Sequence, residues 1–137
     1  MTGEIIAPKV VSVISQTLLR AYADASGDHN SIHQDEAAAK AAGLPGVIAH
    51  GMFIAGLVGE RGAQWINAHL GREIFENAWR PASFQSRFRA MTFLGDTVSV
   101  GGSVKSESET QITLELQAKN QKGDVLTSSI LSFVRTT

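Results

Sequence analysis

Apolar and polar residues are patterned differently in the two halves of the chain. The first half carries a short apolar alternation, Val10-Val11-Ser12-Val13-Ile14, which predicts a strand. Ser15 then offers an N-cap, and Leu18, Leu19 and Tyr22 recur at helical spacing, so a helix is expected up to Ser26-Gly27. Asp28-His29-Asn30-Ser31 continues as a loop. Asp35 can cap a second helix over Glu36–Ala42. In it Glu36 and Lys40 stand four apart in the favourable order, and Gly43 can end it. A third helix is expected from about His50 to Asn67. Met52, Phe53, Ala55, Gly56, Leu57, Gly59 and Ala63 make it apolar on nearly all sides, as in a buried helix. Gly56 and Gly59 lower helix propensity, which points to a close approach to its backbone.

From Ala82 the period changes to two. Phe84, Ser86, Phe88 and Ala90 fall on one face, and Gln85, Arg87 and Arg89 on the other. Gly95-Asp96 marks a turn. Thr97–Lys105, Gln111–Lys119 and Val125–Val134 then read as strands, joined by turns at Ser106–Thr110 and Asn120–Asp124. Four successive strands predict an antiparallel meander, with one further strand from the N-terminal part. Helices gathered before strands indicate an α+β class. A curved antiparallel sheet wrapped around one apolar helix accounts for both halves. This hotdog-like arrangement is favoured over a ferredoxin-like one because the apolar helix precedes the strands instead of alternating with them.

Composition narrows the function. The 137 residues suit a single domain over residues 1–137 with a real core. Twelve Lys and Arg against thirteen Asp and Glu remove the electrostatic case for nucleic acid or an anionic membrane. With no cysteine there is no disulfide framework and no thiolate chemistry, and a reducing cytoplasm fits. The 19 residues Ala41–Gly59 contain no Asp, Glu, Lys or Arg, a length near the roughly 20 that a bilayer span needs. Leu44-Pro45-Gly46 interrupts them, however, and leaves a helical part too short to cross. Met1–Lys9, with Glu4 and Pro8, does not read as a signal peptide. A soluble protein is expected.

Groups able to do chemistry are dense between Asp28 and Asp35. Asp28 and His33, five apart, would not share a helix face, but in a loop they can converge on one small volume. A carboxylate and an imidazole there could share work on a water molecule and a proton. Equally, Asp28 and Asn30 are common turn formers, and His33 could be a satisfied histidine at a helix start. His29 and His33, with Asp28 and Asp35, have the residue types of a metal site, but Gly27 and Asn30-Ser31 disfavour the helix that would align them, and no metal is expected. His50-Gly51 opens the apolar helix, where free N–H groups could meet a carbonyl and Gly51 would let it come close. Gly51 could also merely ease packing.

Together these residues resemble the signature of the MaoC-like family of (R)-specific enoyl-CoA hydratases and 3-hydroxyacyl-thioester dehydratases. Its pattern runs approximately Y-A-x-x-S-G-D-x-N-P-I-H-x-D, then G-x-x-x-x-I-A-H-G-M. The chain has Tyr22-Ala23, Ser26-Gly27-Asp28, Asn30, Ile32-His33, Asp35 and Ile48-Ala49-His50-Gly51-Met52. Phe84, Phe88 and Gly95-Asp96 resemble a later part of the pattern, so the similarity spans about Arg20 to Val134. Ser31 stands where the family usually has Pro, and Met91-Thr92-Phe93-Leu94 lacks the proline often found before Gly-Asp.

The resemblance implies a hotdog fold, a homodimer or larger assembly, and reversible hydration of trans-2-enoyl thioesters to (R)-3-hydroxyacyl thioesters. Asp28 would deprotonate the attacking water, and His33 would hold it and protonate the α-carbon. The Gly51 amide, at the His50-Gly51 helix start, would polarise the thioester carbonyl. Ser26 and Asn30 would fix the loop. No cofactor is implied beyond the substrate's own CoA or acyl-carrier-protein phosphopantetheine, whose phosphates Arg80, Arg87 and Arg89 could meet. Met52, Phe53, Leu57 and Trp65 could line an acyl tunnel or simply be core. A hotdog thioesterase and a non-catalytic acyl-thioester-binding subunit are the competing readings, and the Asp-then-His spacing argues for the hydratase.

Overall fold

The computed structural model describes residues 2–69 and 79–135. Strand β1 (Ile5–Val13) leads into helix α1 (Gln16–Ser26). A 3₁₀ turn at Ser31–His33, helix α2 (Glu36–Ala41) and helix α3 (Gly51–His69) follow. Strands β2 (Trp79–Phe88), β3 (Thr97–Glu107), β4 (Gln111–Lys119) and β5 (Val125–Arg135) complete the order.

The local signals act where the residue types place them. The Ser15 side chain accepts from the Leu18 N–H at 3.1 Å and starts α1. Gly27 ends it in a left-handed conformation, φ 78°. Asp35 accepts from the Ala37 N–H at 3.1 Å and caps α2, and Glu36 pairs with Lys40 across one turn.

All five strands form one antiparallel sheet in the order β1-β3-β4-β5-β2. One face carries Val100, Val104, Leu114, Leu116, Leu131 and Phe133, and α3 lays Ile54, Val58, Gly62 and Ile66 against that face. This is the α+β hotdog architecture. Among the described residues no helix is long and apolar enough to cross a membrane.

Four expectations need correction. β3-β4-β5 is a meander, but β2 leaves it and pairs with β5 at the far edge, so the four strands are not consecutive neighbours. β1 starts at Ile5 and runs through Pro8, which an edge strand tolerates because one side of its ladder is free. α3 is not buried all round: Met52 is 64% exposed, since the sheet wraps only one side. Finally, Gly56 has nothing near its backbone. The close approach falls on Gly62, where a Cβ would lie 3.0 Å from Leu131 Cδ2.

Gly62 sets the fit between helix and sheet, and Gly101 and Gly102 set the fit of β3 against its neighbouring strands. A Cβ on Gly102 would strike the Glu115 carbonyl of the neighbouring strand and lie 3.0 Å from Leu116 Cα. Backbone cannot rotate away as a side chain can. Gly102→Ala is thus expected to destabilise the fold by about 3 kcal/mol or more, and Gly62→Val by about 1–3 kcal/mol. Chemical denaturation checks both, and a Gly102→Ala protein as stable as the wild type would refute this packing.

Candidate active site

The site lies where the loop after α1 meets the start of α3. Three side chains fold the loop onto itself. Ser26 Oγ accepts from the Asp28 N–H at 3.2 Å. Asp28 Oδ1 accepts from the Asn30 N–H at 3.2 Å. Asn30 Oδ1 accepts from the Ile32 N–H at 3.2 Å and caps the 3₁₀ turn. These are Asx- and Ser-type turns, the local alternative to helix that such residues favour. Ser31, at the usual proline position, begins that turn, and its carbonyl accepts from Gln34 and Asp35.

The turn delivers His33 into the interior, where its Nδ1–H donates to the Ile48 carbonyl at 2.7 Å. A carbonyl only accepts, so the proton sits on Nδ1 and the neutral ring keeps its lone pair on Nε2. His50 is 2% exposed and its Nε2–H donates to the backbone carbonyl of Asp28 at 3.0 Å. The two imidazoles stack with centroids 3.8 Å apart and planes 24° from parallel. Tyr22 meets the His50 ring edge-on at 4.8 Å and touches Phe53 at 5.2 Å. Ligand-type atoms of Asp28, His33 and His50 all lie within 4.8 Å of one another.

The Ile48 carbonyl is itself held. The Ile48 N–H donates to the Ile32 carbonyl and the Ala49 N–H to the Thr92 carbonyl. Ile48 and Phe93 form an isolated antiparallel bridge. Phe93 is fixed by Asp96, whose Oδ2 accepts from its N–H at 2.9 Å, and Asp96 Oδ1 accepts from Gln121 at 2.9 Å. The Gly95-Asp96 turn, with Gly95 at φ 91°, therefore supports the segment that supports His33.

A pocket of about 270 Å³ opens beside His33 and Gly51, with Ile48, Ile54, Phe88, Arg89, Met91 and Thr127 among its walls. Gly51 is the first residue of α3, so its N–H has no acceptor within the helix and stands at the helix's partial positive end. The ring of Phe88 lies 3.2 Å from where a Gly51 Cβ would be. The pocket thus combines an imidazole, a nearby carboxylate and an unshared amide, a set suited to moving a proton next to a polarised carbonyl.

The structure brings Asp28, His33, His50 and Gly51 together as a unit and places Ser26 and Asn30 in support. His50 is buried against the loop after α1 and is not among the pocket walls. His29 lies 4.0 Å from Asp24 and Asp35 caps α2, so the metal set weighed from sequence does not assemble. Arg87 and Arg89 line a polar hollow of about 790 Å³ on the outer face of the sheet, and Arg89 also borders the catalytic pocket. Arg80 is not among the walls of either and donates to the Trp79 carbonyl. Of the residues weighed as acyl lining or core, Phe53, Leu57 and Trp65 pack partly buried against the core and Met52 is exposed. Thr127 was missed, because a Thr in a strand pattern carries no signal of which cavity it faces.

Comparison with known proteins agrees with this fold. Residues 3–125 match the model of the MaoC like domain. A 51-residue segment is 51% identical to 3-hydroxyacyl-thioester dehydratase X of Mycobacterium tuberculosis, covering 37% of this chain and 18% of that protein. The fold superposes on a chain of the ChsH1-ChsH2 complex from Mycobacterium tuberculosis with a TM-score of 0.82, at 18% identity over 98% of both chains. It also superposes on the (R)-hydratase from A. caviae involved in PHA biosynthesis with a TM-score of 0.79, at 20% identity over 98% of this chain and 96% of that one. With nearly the whole fold and most of the sequence matched, the chain belongs to the MaoC-like domain family.

Proposed function

We propose that the protein adds water reversibly to trans-2-enoyl thioesters, giving (R)-3-hydroxyacyl thioesters. The observation that carries this reading is that His33 and Gly51 line one pocket while the Asp28 carboxylate lies within 4.8 Å of a His33 ring nitrogen. Two relatives are named as a dehydratase and an (R)-hydratase, which supports it.

In hydration the Asp28 carboxylate takes a proton from water, whose oxygen bonds to C3. The C2=C3 pair moves toward the carbonyl as enolate, C2 takes its proton from Nε2 of His33 in the imidazolium form, and the proton gained by Asp28 passes to His33 Nε2 to restore both groups. The Nδ1–H bond to Ile48 holds the ring in the orientation that presents Nε2. The Gly51 N–H meets the enolate oxygen, which makes C3 electrophilic enough for attack. Dehydration reverses each step. Arg89, bordering both the pocket and the outer hollow, and Arg87 beside it meet the phosphates of the CoA or carrier-protein arm.

The protein works as a homodimer or larger assembly. β2 is an edge strand with one side of its ladder unpaired, and Phe84 and Phe88 are 43% and 54% exposed. An apolar hollow of about 410 Å³ lies between β2 and α3, lined by Gly59, Ala63, Pro81 and Phe133 among others. An edge and an apolar face side by side suit a second copy of the same strand and helix.

Three outcomes are expected. Asp28→Asn and His33→Ala each lower kcat on crotonyl-CoA by about 100- to 10,000-fold with circular dichroism unchanged. Wild-type protein inactive on short, medium and long enoyl-CoA and enoyl-carrier-protein substrates would refute the function. Gly51→Pro removes the amide proton at a helix position that tolerates proline, and is expected to cost about 100- to 1000-fold in kcat with helix content kept. Phe84→Asp with Phe88→Asp is expected to halve the molar mass found by light scattering, and an unchanged mass would place the interface elsewhere.

A further inference from the structure

The buried hydroxyls of β4 and β5 are used in pairs, with one exception. Thr113 Oγ1 and Ser132 Oγ lie 3.1 Å apart, and Ser129 Oγ lies 2.9 Å from Ser86 Oγ of β2. Thr127 is 1% exposed, and its Oγ1 has no hydrogen-bond partner. A buried hydroxyl without a partner destabilises a fold by about 1–3 kcal/mol. Valine has nearly the same shape, suits a strand equally well and would carry no such penalty. The oxygen of Thr127 therefore costs the free protein something that folding does not return.

Its position gives the oxygen a use. Thr127 forms part of the wall of the catalytic pocket, together with His33 and Gly51. Its cross-strand partner on β2 is Phe88, whose side chain stands on the same face of the sheet. That ring also packs 3.2 Å from the Cβ position of Gly51. Phe88 thus neighbours both Thr127 and the start of α3.

We infer that Thr127 is a substrate-contacting residue whose Oγ1–H donates to the thioester carbonyl oxygen, as a second donor beside the Gly51 N–H. The inference rests on the enoyl-thioester reading of this pocket. The donor lies unpaired in the free protein and is satisfied only when an acyl thioester is bound. As the carbonyl gains negative charge during reaction the bond strengthens, so its loss falls on kcat more than on KM.

The test compares wild type, Thr127→Val and Thr127→Ser by three measurements. These are the melting temperature of the ligand-free protein, kcat and KM on crotonyl-CoA, and calorimetric binding of butyryl-CoA, which cannot be hydrated. Thr127→Val is expected to melt at or above the wild-type temperature. Its kcat falls at least about tenfold. Its butyryl-CoA binding weakens about threefold or more. Thr127→Ser keeps the hydroxyl and is expected to stay within about threefold of wild type in both readouts. Wild-type kinetics and binding in Thr127→Val would overturn the inference, and so would a fall in its melting temperature, which marks a structural role. If the wild type hydrates no enoyl-CoA yet Thr127→Val still weakens butyryl-CoA binding, the hydration reading fails and the Thr127 contact stands.

Discussion

Two backbone carbonyls hold two histidine rings, and the site depends on that exchange. The Ile48 carbonyl, from the segment before α3, holds His33 of the loop after α1. The Asp28 carbonyl, from that loop, holds His50 at the start of α3. Each segment thus grips a side chain of the other, and the stacked rings fill the space between them. Because carbonyls can only accept, the exchange also decides which nitrogen of each ring carries a proton. Orientation, tautomer and loop position are set by the same two bonds. The support continues outward through the Ile48–Phe93 bridge to Asp96 and Gln121, so a turn between strands bears on the His33 imidazole.

The sheet supplies the second constraint. Its inner face is apolar where it meets α3, at Leu131 and Phe133 of β5, and bears a hydroxyl at Thr127 where it meets the pocket. The same strand therefore anchors the helix at one end and lines the pocket at the other. Glycine makes the close layers possible, with Gly62 admitting leucine side chains to the helix backbone and Gly102 admitting a neighbouring strand. The sheet ends at β2, which leaves Phe84 and Phe88 half covered beside the pocket mouth.

Features fixed by short-range chemistry were legible in the amino-acid sequence. Ser15, Gly27 and Asp35 act through atoms within four residues of themselves, and they cap helices where their types predict. The convergence of Asp28 and His33 was legible through the loop formers between them and through the family signature. Long-range choices were not. The alternation of Phe84, Ser86 and Phe88 is the same whichever strand lies beside it, so it could not place β2 next to β5. Apolar composition could not tell a helix wrapped on all sides from one with a face left open, and Met52 lies on the open face. Ring direction is also invisible to sequence, which hid the burial of His50 behind its place in the His50-Gly51 pair.

Where the oxygen of water goes separates this chemistry from others that a hotdog pocket could host. Attack at C3 leaves the thioester intact, whereas attack at the carbonyl carbon releases free thiol and a carboxylate. The direct measurement is turnover of crotonyl-CoA in ¹⁸O-labelled water, with the products resolved by mass spectrometry and the configuration at C3 determined. One ¹⁸O in the hydroxyl of (R)-3-hydroxybutyryl-CoA, with no free thiol, is the expected result. Label in a released carboxylate, or a product of S configuration, would contradict the assignment of Asp28, His33 and Gly51.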